Sequence, residues 1–309
     1  MVLFNKRSTL QAIASVLLLI SANTFAENKN GYQIPNTEVH VIPSKPAKRQ
    51  YQVWIGFPES YAKSNKKFPV VFVTDPQYAF TLAHGVRHLL GRRGQNIEDF
   101  ILVGLSMPQG EDIAAGRSRD YTPTNPLPKD KSKRDPKTYA ADQYGQAEVY
   151  RNYIESEVLP FIAKNYRADM QRKVLIGHSY GSLFAAYTLL TKPSLFETYI
   201  LGSPSFWFDR HVIFKIEEQY AKNHQDLKAR VMMFAGSYET TGNGDRYYKD
   251  TDLTGDVLRF EKQLKARNYP GLKIGAQILA DEDHFTVFSN LLGRGLLWAL
   301  PGFGPYTSG

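Results

Sequence analysis

The 309-residue chain contains no cysteine. Disulfide bridges, a thiolate nucleophile and cysteine-ligated zinc are excluded with it. Acidic surplus is also missing. Lys and Arg number 38 against 30 Asp and Glu, a balance of +8 that favours anionic ligands over cationic ones. No basic helix or basic–aromatic strand motif accompanies that charge, so nucleic acid is not an expected partner. Long apolar runs are scarce. Residues Ala12–Ile20 are too few to span a bilayer; preceded by Lys6 and Arg7 and followed by Thr24-Phe25-Ala26, they read as a signal peptide cut near Ala26. Residues 1–26 are therefore expected to be lost on export, to the periplasm or the medium. Losing Lys6 and Arg7 takes the balance from +8 to +6. No internal repeat, low-complexity tract or linker divides residues 27–309. They are read as a single domain with no stable membrane insertion.

The chain is organised around Gly177-His178-Ser179-Tyr180-Gly181. The apolar run Val174-Leu175-Ile176 precedes it, and Leu183–Leu190 suits a buried helix. Strand, G-x-S-x-G and helix together describe a nucleophile elbow. Elsewhere, strands are expected at Glu38–Ile42, Gln50–Gly56, Phe68–Thr74, Phe100–Leu105, Tyr199–Leu201, Val231–Phe234 and Ile274–Leu279. Helices are expected at Leu82–Leu90, Val149–Tyr166, Leu253–Arg267 and from about Phe285 to Leu300. Alternation of this kind predicts an α/β fold, a mostly parallel eight-stranded sheet with helices on both faces. Residues 107–141, rich in Pro, Gly, Lys and Asp, read as one long loop.

A serine hydroxyl needs a base to take its proton. Of the seven histidines, His284 alone follows the last strand, where the base of this chain order belongs. His178, inside the elbow, reads as a packing or hydrogen-bonding residue. The third member of a triad orients the imidazole. Glu239 after the seventh strand is the choice, with Asp245, Asp250, Asp281 and Asp283 as competitors and a Ser–His dyad left open. Two backbone N–H groups must meet the oxyanion: Tyr180, and either Gln77 or Tyr78 in the loop after the third strand, with Gln77 preferred. Arg117 and Arg119 suit either a substrate carboxylate, phosphate or catecholate oxygen, or an internal ion pair with Asp120. Trp207 suits the wall of an aromatic or acyl pocket. The acidic segment Asp250–Glu261 partly fits a calcium loop but reads better as a helix N-terminus. No metal and no cofactor is called for. The basic run Lys129–Lys137 reads as a solvated loop.

Arg117-Ser118-Arg119-Asp120-Tyr121-Thr122-Pro123, the elbow, Ser203-Pro204-Ser205-Phe206-Trp207 and Asp283-His284-Phe285 occur in that order. In this the chain resembles the putative-esterase family of α/β hydrolases, which includes enterochelin trilactone esterases and S-formylglutathione hydrolases. The likeness runs from about residue 36 to the terminal helix and is greatest to the periplasmic siderophore-esterase branch. It implies an α/β-hydrolase fold, with Ser179 as nucleophile and His284 as base. Glu239 carries over less directly, because family members vary in the acid. Ser182 departs from the pattern, standing where a glycine often follows the elbow. The expectation is an exported serine esterase acting through an acyl-enzyme on a small-molecule ester, anionic or aromatic, of the siderophore type. A general short-chain carboxylesterase, an acyltransferase and a non-catalytic binding protein are its rivals.

Overall fold

Strand β3 (Phe68–Thr74) is buried along its whole length, as a continuous apolar run in the middle of a covered sheet must be. The computed structural model describes residues 33–91, 95–126 and 144–304. The expected signal peptide and the basic run Lys129–Lys137 lie outside the described residues. Around β3 lie β1 (Thr37–Ser44), β2 (Arg49–Gly56), β4 (Ile101–Pro108), β5 (Ala168–His178), β6 (Thr198–Gly202), β7 (Ala229–Gly236) and β8 (Leu272–Leu279). Their order in the sheet is β1-β2-β4-β3-β5-β6-β7-β8. The β1–β2 and β2–β4 pairs are antiparallel, and every later pair is parallel.

Helices cover both faces. On one, α1 (Pro76–Gly91) and the terminal helix press Ala79, Phe80, Val287 and Leu291 onto Val71, Val73, Val174 and Ile176. On the other, Phe72, Leu175 and Leu201 meet Tyr150, Phe184, Phe214 and Phe260. Residues from Asn36 onward form one compact unit. Among the described residues no helix is long and apolar enough to cross a membrane.

The structure departs from the sequence reading in three places. The long loop 107–141 contains α2 (Ile113–Asp120), started by Asp112, whose side chain accepts from Ala115 N. Its turns carry two arginines and little apolar surface, so periodicity does not reveal it. The helix expected at Val149–Tyr166 is α3 (Ala147–Tyr153) and α4 (Leu159–Asn165), joined by a π-helical turn at Ile154–Val158. Between α5 (Tyr180–Thr191) and α7 (Leu253–Ala266) stands α6 (Phe208–Asn223), which the sequence reading does not include. Its start is kinked: Asp209, Arg210 and His211 have φ of 42°, 56° and 59°. The terminal helix is α8 (Thr286–Ala299).

Candidate active site

Ser179 stands between β5 and α5 with φ 57° and ψ −119°, a backbone state that a non-glycine residue adopts only when its surroundings enforce it. The enforcement is visible. Its N–H donates to Gly202 O at 2.9 Å, and its carbonyl accepts from Leu183 N at 3.1 Å. A Cβ built on Gly177 would lie 2.4 Å from the carbonyl carbon and oxygen of Gly181, so the sharp turn closes only with glycine there. Ser182 takes up the departure from the family pattern by donating its hydroxyl to Gly202 O at 2.9 Å inside the core.

The loops after β7 and β8 are zipped together. Ser237 N donates to Leu279 O at 2.9 Å and Tyr238 N to Glu282 O at 3.0 Å. Gly236 permits this approach, since a Cβ there would sit 2.3 Å from Glu282 O. The result is a 2.6 Å contact between His284 Nδ1 and Glu239 Oε1. Glu239 is wholly buried. Its other oxygen, Oε2, accepts from Ser203 Oγ at 2.5 Å and from Gly236 N at 2.7 Å. Three of the four competing acids have other partners, Asp250 through Thr251 Oγ1 at 3.1 Å. Asp281 accepts from Tyr238 OH at 3.2 Å. Asp283 starts α8 by accepting from Phe285 N and Thr286 N, both at 3.0 Å, and pairs with Arg246 at 2.8 Å. The Thr286 N–H and the Arg246 guanidinium hold its carboxyl down at about 2. Asp252 caps α7 through Gly255 N, as a helix N-terminus requires.

With Nδ1 taken by Glu239, the imidazole of His284 has Nε2 left for a second partner. Ser179 Oγ is turned to Ser205 Oγ at 3.2 Å. His178 points away from the nucleophile. Burial, reinforced by the neighbouring His284, pushes its imidazole down to about 3, so the ring is neutral. Its Nε2–H donates to His284 O at 2.8 Å, and its Nδ1 lies 3.4 Å from Tyr78 OH.

Tyr180 opens α5 and Gln77 stands in the first turn of α1, where backbone N–H groups point out along the helix axis. Tyr78 N–H, the alternative to Gln77, is committed to Asp75 O at 3.3 Å. The two turns touch, since a Cβ on Gly181 would meet Thr74 Oγ1 at 2.2 Å and Asp75 Oδ2 at 3.2 Å. Two helix N-termini thus meet beside Ser179 and favour negative charge between them.

The remaining expected residues separate. Trp207 is 40% exposed beside the Tyr180 ring, with centroids 6.1 Å apart. Arg117 is turned into the protein toward Asp75. Arg119 is 5% exposed and donates to Asp120 at 2.8 and 3.1 Å and to Glu111 at 2.5 Å. It is an internal ion pair, the second of the two readings its sequence allows, and not a substrate contact. Sequence reasoning does not single out Ser203 and Ser205, although both lie in a motif it quotes. Nor does it find Phe285, an 85% exposed ring directly after His284.

A strained serine at a strand–helix elbow, on this sheet order, defines a serine hydrolase of α/β-hydrolase fold. Residues 44–273 match the model described as putative esterase, and the chain belongs to that family of ester-hydrolysing enzymes. It is 29% identical over 286 residues to the ferri-bacillibactin esterase BesA of Bacillus subtilis (strain 168), covering 90% of this chain and 94% of that one. It is 25% identical over 281 residues to the siderophore triacetylfusarinine C esterase of Aspergillus fumigatus, covering 85% and 92%. The crystal structure of an IroE-like serine hydrolase from Shewanella oneidensis superposes with a TM-score of 0.70 at 25% identity, over 85% of this chain and 79% of that one.

Proposed function

We propose that this enzyme hydrolyses siderophore-type esters through an acyl-enzyme on Ser179. The observation that carries the reading is the 2.6 Å bond from His284 to the buried Glu239 beside the strained Ser179 elbow. In the proposed cycle, Ser179 Oγ swings from Ser205 to His284 Nε2 and attacks the ester carbonyl as the imidazole takes its proton. Glu239 fixes the tautomer through Nδ1 and stabilises the imidazolium. Tyr180 N–H and Gln77 N–H receive the oxyanion. His284 then returns the proton to the leaving alcohol, and water attacks the acyl-enzyme by the same route in reverse.

The substrate class is supported by two relatives that carry names of siderophore or ferri-bacillibactin esterases across nearly their whole length. Exposed aromatic rings next to the catalytic positions, Trp207 and Phe285, suit an aromatic acyl group. Arg119, buried and paired with Asp120 and Glu111, is not part of the proposal. The N-terminal pattern of charge, short apolar run and small residues supports export to the periplasm.

The test is hydrolysis of p-nitrophenyl butyrate and of a tricatecholate trilactone by residues 27–309, beside Ser179→Ala. Turnover of both that vanishes in the variant, with kcat/KM higher for the trilactone, is the expected result. A preference for the simple ester would overturn the substrate class. Turnover that survives in the variant would overturn the nucleophile.

A further inference from the structure

Arg117 reads from sequence as a substrate contact, yet its guanidinium forks onto a carboxylate of the protein itself. Nε donates to Asp75 Oδ1 at 2.6 Å and Nη2 to Asp75 Oδ2 at 3.2 Å. Asp75 is 1% exposed and lies between β3 and α1 with φ 53°, in the left-handed region. Its backbone N–H donates to Tyr121 OH at 3.2 Å, and its Oδ2 also accepts from Tyr78 OH at 3.3 Å. Its carbonyl accepts from Tyr78 N and Ala79 N at 3.3 and 3.1 Å. Every polar group of Asp75 is therefore held, two of them by α2 and the tyrosine that ends it. The guanidinium also lies 5.8 and 5.9 Å from the Tyr121 and Tyr180 ring centres. Arg119 anchors the same helix from behind, and its partner Asp120 accepts from Tyr51 OH at 3.0 Å.

Resting on the hydrolytic reading above, we propose that Arg117 is a positioning residue for the oxyanion turn and not a substrate ligand. It clamps Asp75 so that the Gln77 N–H, two residues on, faces the carbonyl that Ser179 attacks. It also neutralises a carboxylate that abuts Gly181 and would otherwise oppose the developing oxyanion. Burial favours the neutral Asp75 carboxyl, and the Arg117 guanidinium works against it; the bidentate geometry marks the pair as ionised. α2 and the Arg117–Tyr121 segment thus act on the reaction from outside the substrate's reach.

The experiment compares wild type with Arg117→Met and Arg117→Lys on a neutral ester, p-nitrophenyl butyrate, and on the anionic mono-p-nitrophenyl ester of succinate. Labelling of Ser179 by a fluorophosphonate is timed in parallel. The clamp predicts that Arg117→Met loses about 10- to 100-fold in kcat on both esters, with KM within about twofold and labelling slowed alike. Added methylguanidinium restores part of the rate. Arg117→Lys, which keeps the charge but not the fork, shows the same split with a smaller loss, and it carries the test if the methionine variant does not fold. A loss confined to KM for the anionic ester, or labelling at the wild-type rate, overturns the clamp and leaves the hydrolytic reading standing. Turnover and labelling that survive Ser179→Ala would strike the hydrolytic reading itself, and the clamp would fall with it.

Discussion

Replacing Glu239 by glutamine changes one oxygen for an amide nitrogen and little else, so it isolates the hydrogen-bond logic of the site. Three donors converge on the wild-type carboxylate: His284 Nδ1, Ser203 Oγ and Gly236 N. A glutamine side chain has one oxygen to accept and an NH2 that only donates. If that oxygen stays on Ser203 and Gly236, the NH2 faces His284 Nδ1. The imidazole must then carry its proton on Nε2, the atom that should receive the proton of Ser179. If the amide flips, the NH2 opposes the Gly236 N–H, which cannot turn away. The first arrangement costs rate and the second costs stability. A fall in kcat of about 10²- to 10⁴-fold is expected, as for loss of the orienting acid in other triads, with KM nearly unchanged. The thermal midpoint should drop by the equivalent of about 1–3 kcal/mol, the cost of one buried group without a partner. Glu239→Ala strands both Ser203 and Gly236 and should be less stable still. The assay is steady-state hydrolysis of p-nitrophenyl butyrate with a melting curve for each protein, beside Asp281→Asn. Asp281 is tied to Tyr238 and should be dispensable for rate. If Glu239→Gln keeps kcat within about threefold of wild type, or Asp281→Asn loses as much, Glu239 is a buried strut and the imidazole is oriented by something else.

Two further outcomes follow from the packing. The buried His178 imidazole is pushed down to about 3, against an ordinary value near 6.5 in the unfolded chain. The unfolded state therefore takes up the proton first. Stability that is fully present above pH 6.5 should be lost as pH falls toward 3, by at most about 1.4 kcal/mol per unit. His178→Gln keeps a donor for His284 O without the titration, so its melting temperature should fall less steeply between pH 6.5 and 4; parallel slopes would refute the assignment. Gly177→Ala puts a methyl 2.4 Å from the backbone of Gly181 and should destabilise the fold by several kcal/mol and block fluorophosphonate labelling. Gly85→Ala, in α1 with nothing within 4 Å of the new methyl, should instead gain about 0.5–1 kcal/mol. Equal melting temperatures for the two variants would show that the elbow relaxes freely.

Much of the fold was legible because its central strands are buried on both faces. Phe68–Thr74 and Ile101–Leu105 are apolar at every position except Gly104 and a terminal Thr74, and their shortness and β-branched residues set them apart from a buried helix such as Leu183–Leu190. The departures from that reading have separate physical causes. α2 is held by an Asp cap and by tertiary ion pairs of its arginines, so its own sequence shows no apolar stripe. The π turn at Ile154–Val158 adds a residue without breaking the apolar run, and a count of apolar positions passes over it. Arg119 stayed ambiguous for a related reason. An arginine next to an aspartate reads equally as a ligand clamp or as an internal pair, and only burial decides between them.

The site divides along the same line, and the sheet order explains where. β5, β6, β7 and β8 are consecutive in the chain and adjacent in the sheet. Ser179 follows β5, Ser203 and Ser205 follow β6, Glu239 follows β7, and His284 follows β8. Along this row the chain order is the spatial order, so placing Ser179 and His284 required only that the strands be counted. Choosing among the carboxylates for the proposed acid required more. β7 and β8 end in register, Gly236 opposite Leu279, and from there two loops of unequal length must bring Glu239 to His284. The close approach at Gly236 accomplishes this, and a sequence does not show which backbone a missing Cβ will admit. The proposed oxyanion turn lies on the other side of β5, after β3, and its proposed brace comes from a helix some 40 residues further along the chain. Contacts that join loops across the row are fixed by tertiary packing. A motif such as Arg117-Ser118-Arg119-Asp120-Tyr121 can therefore lie beside the candidate site while its arginines pair with carboxylates of the protein itself.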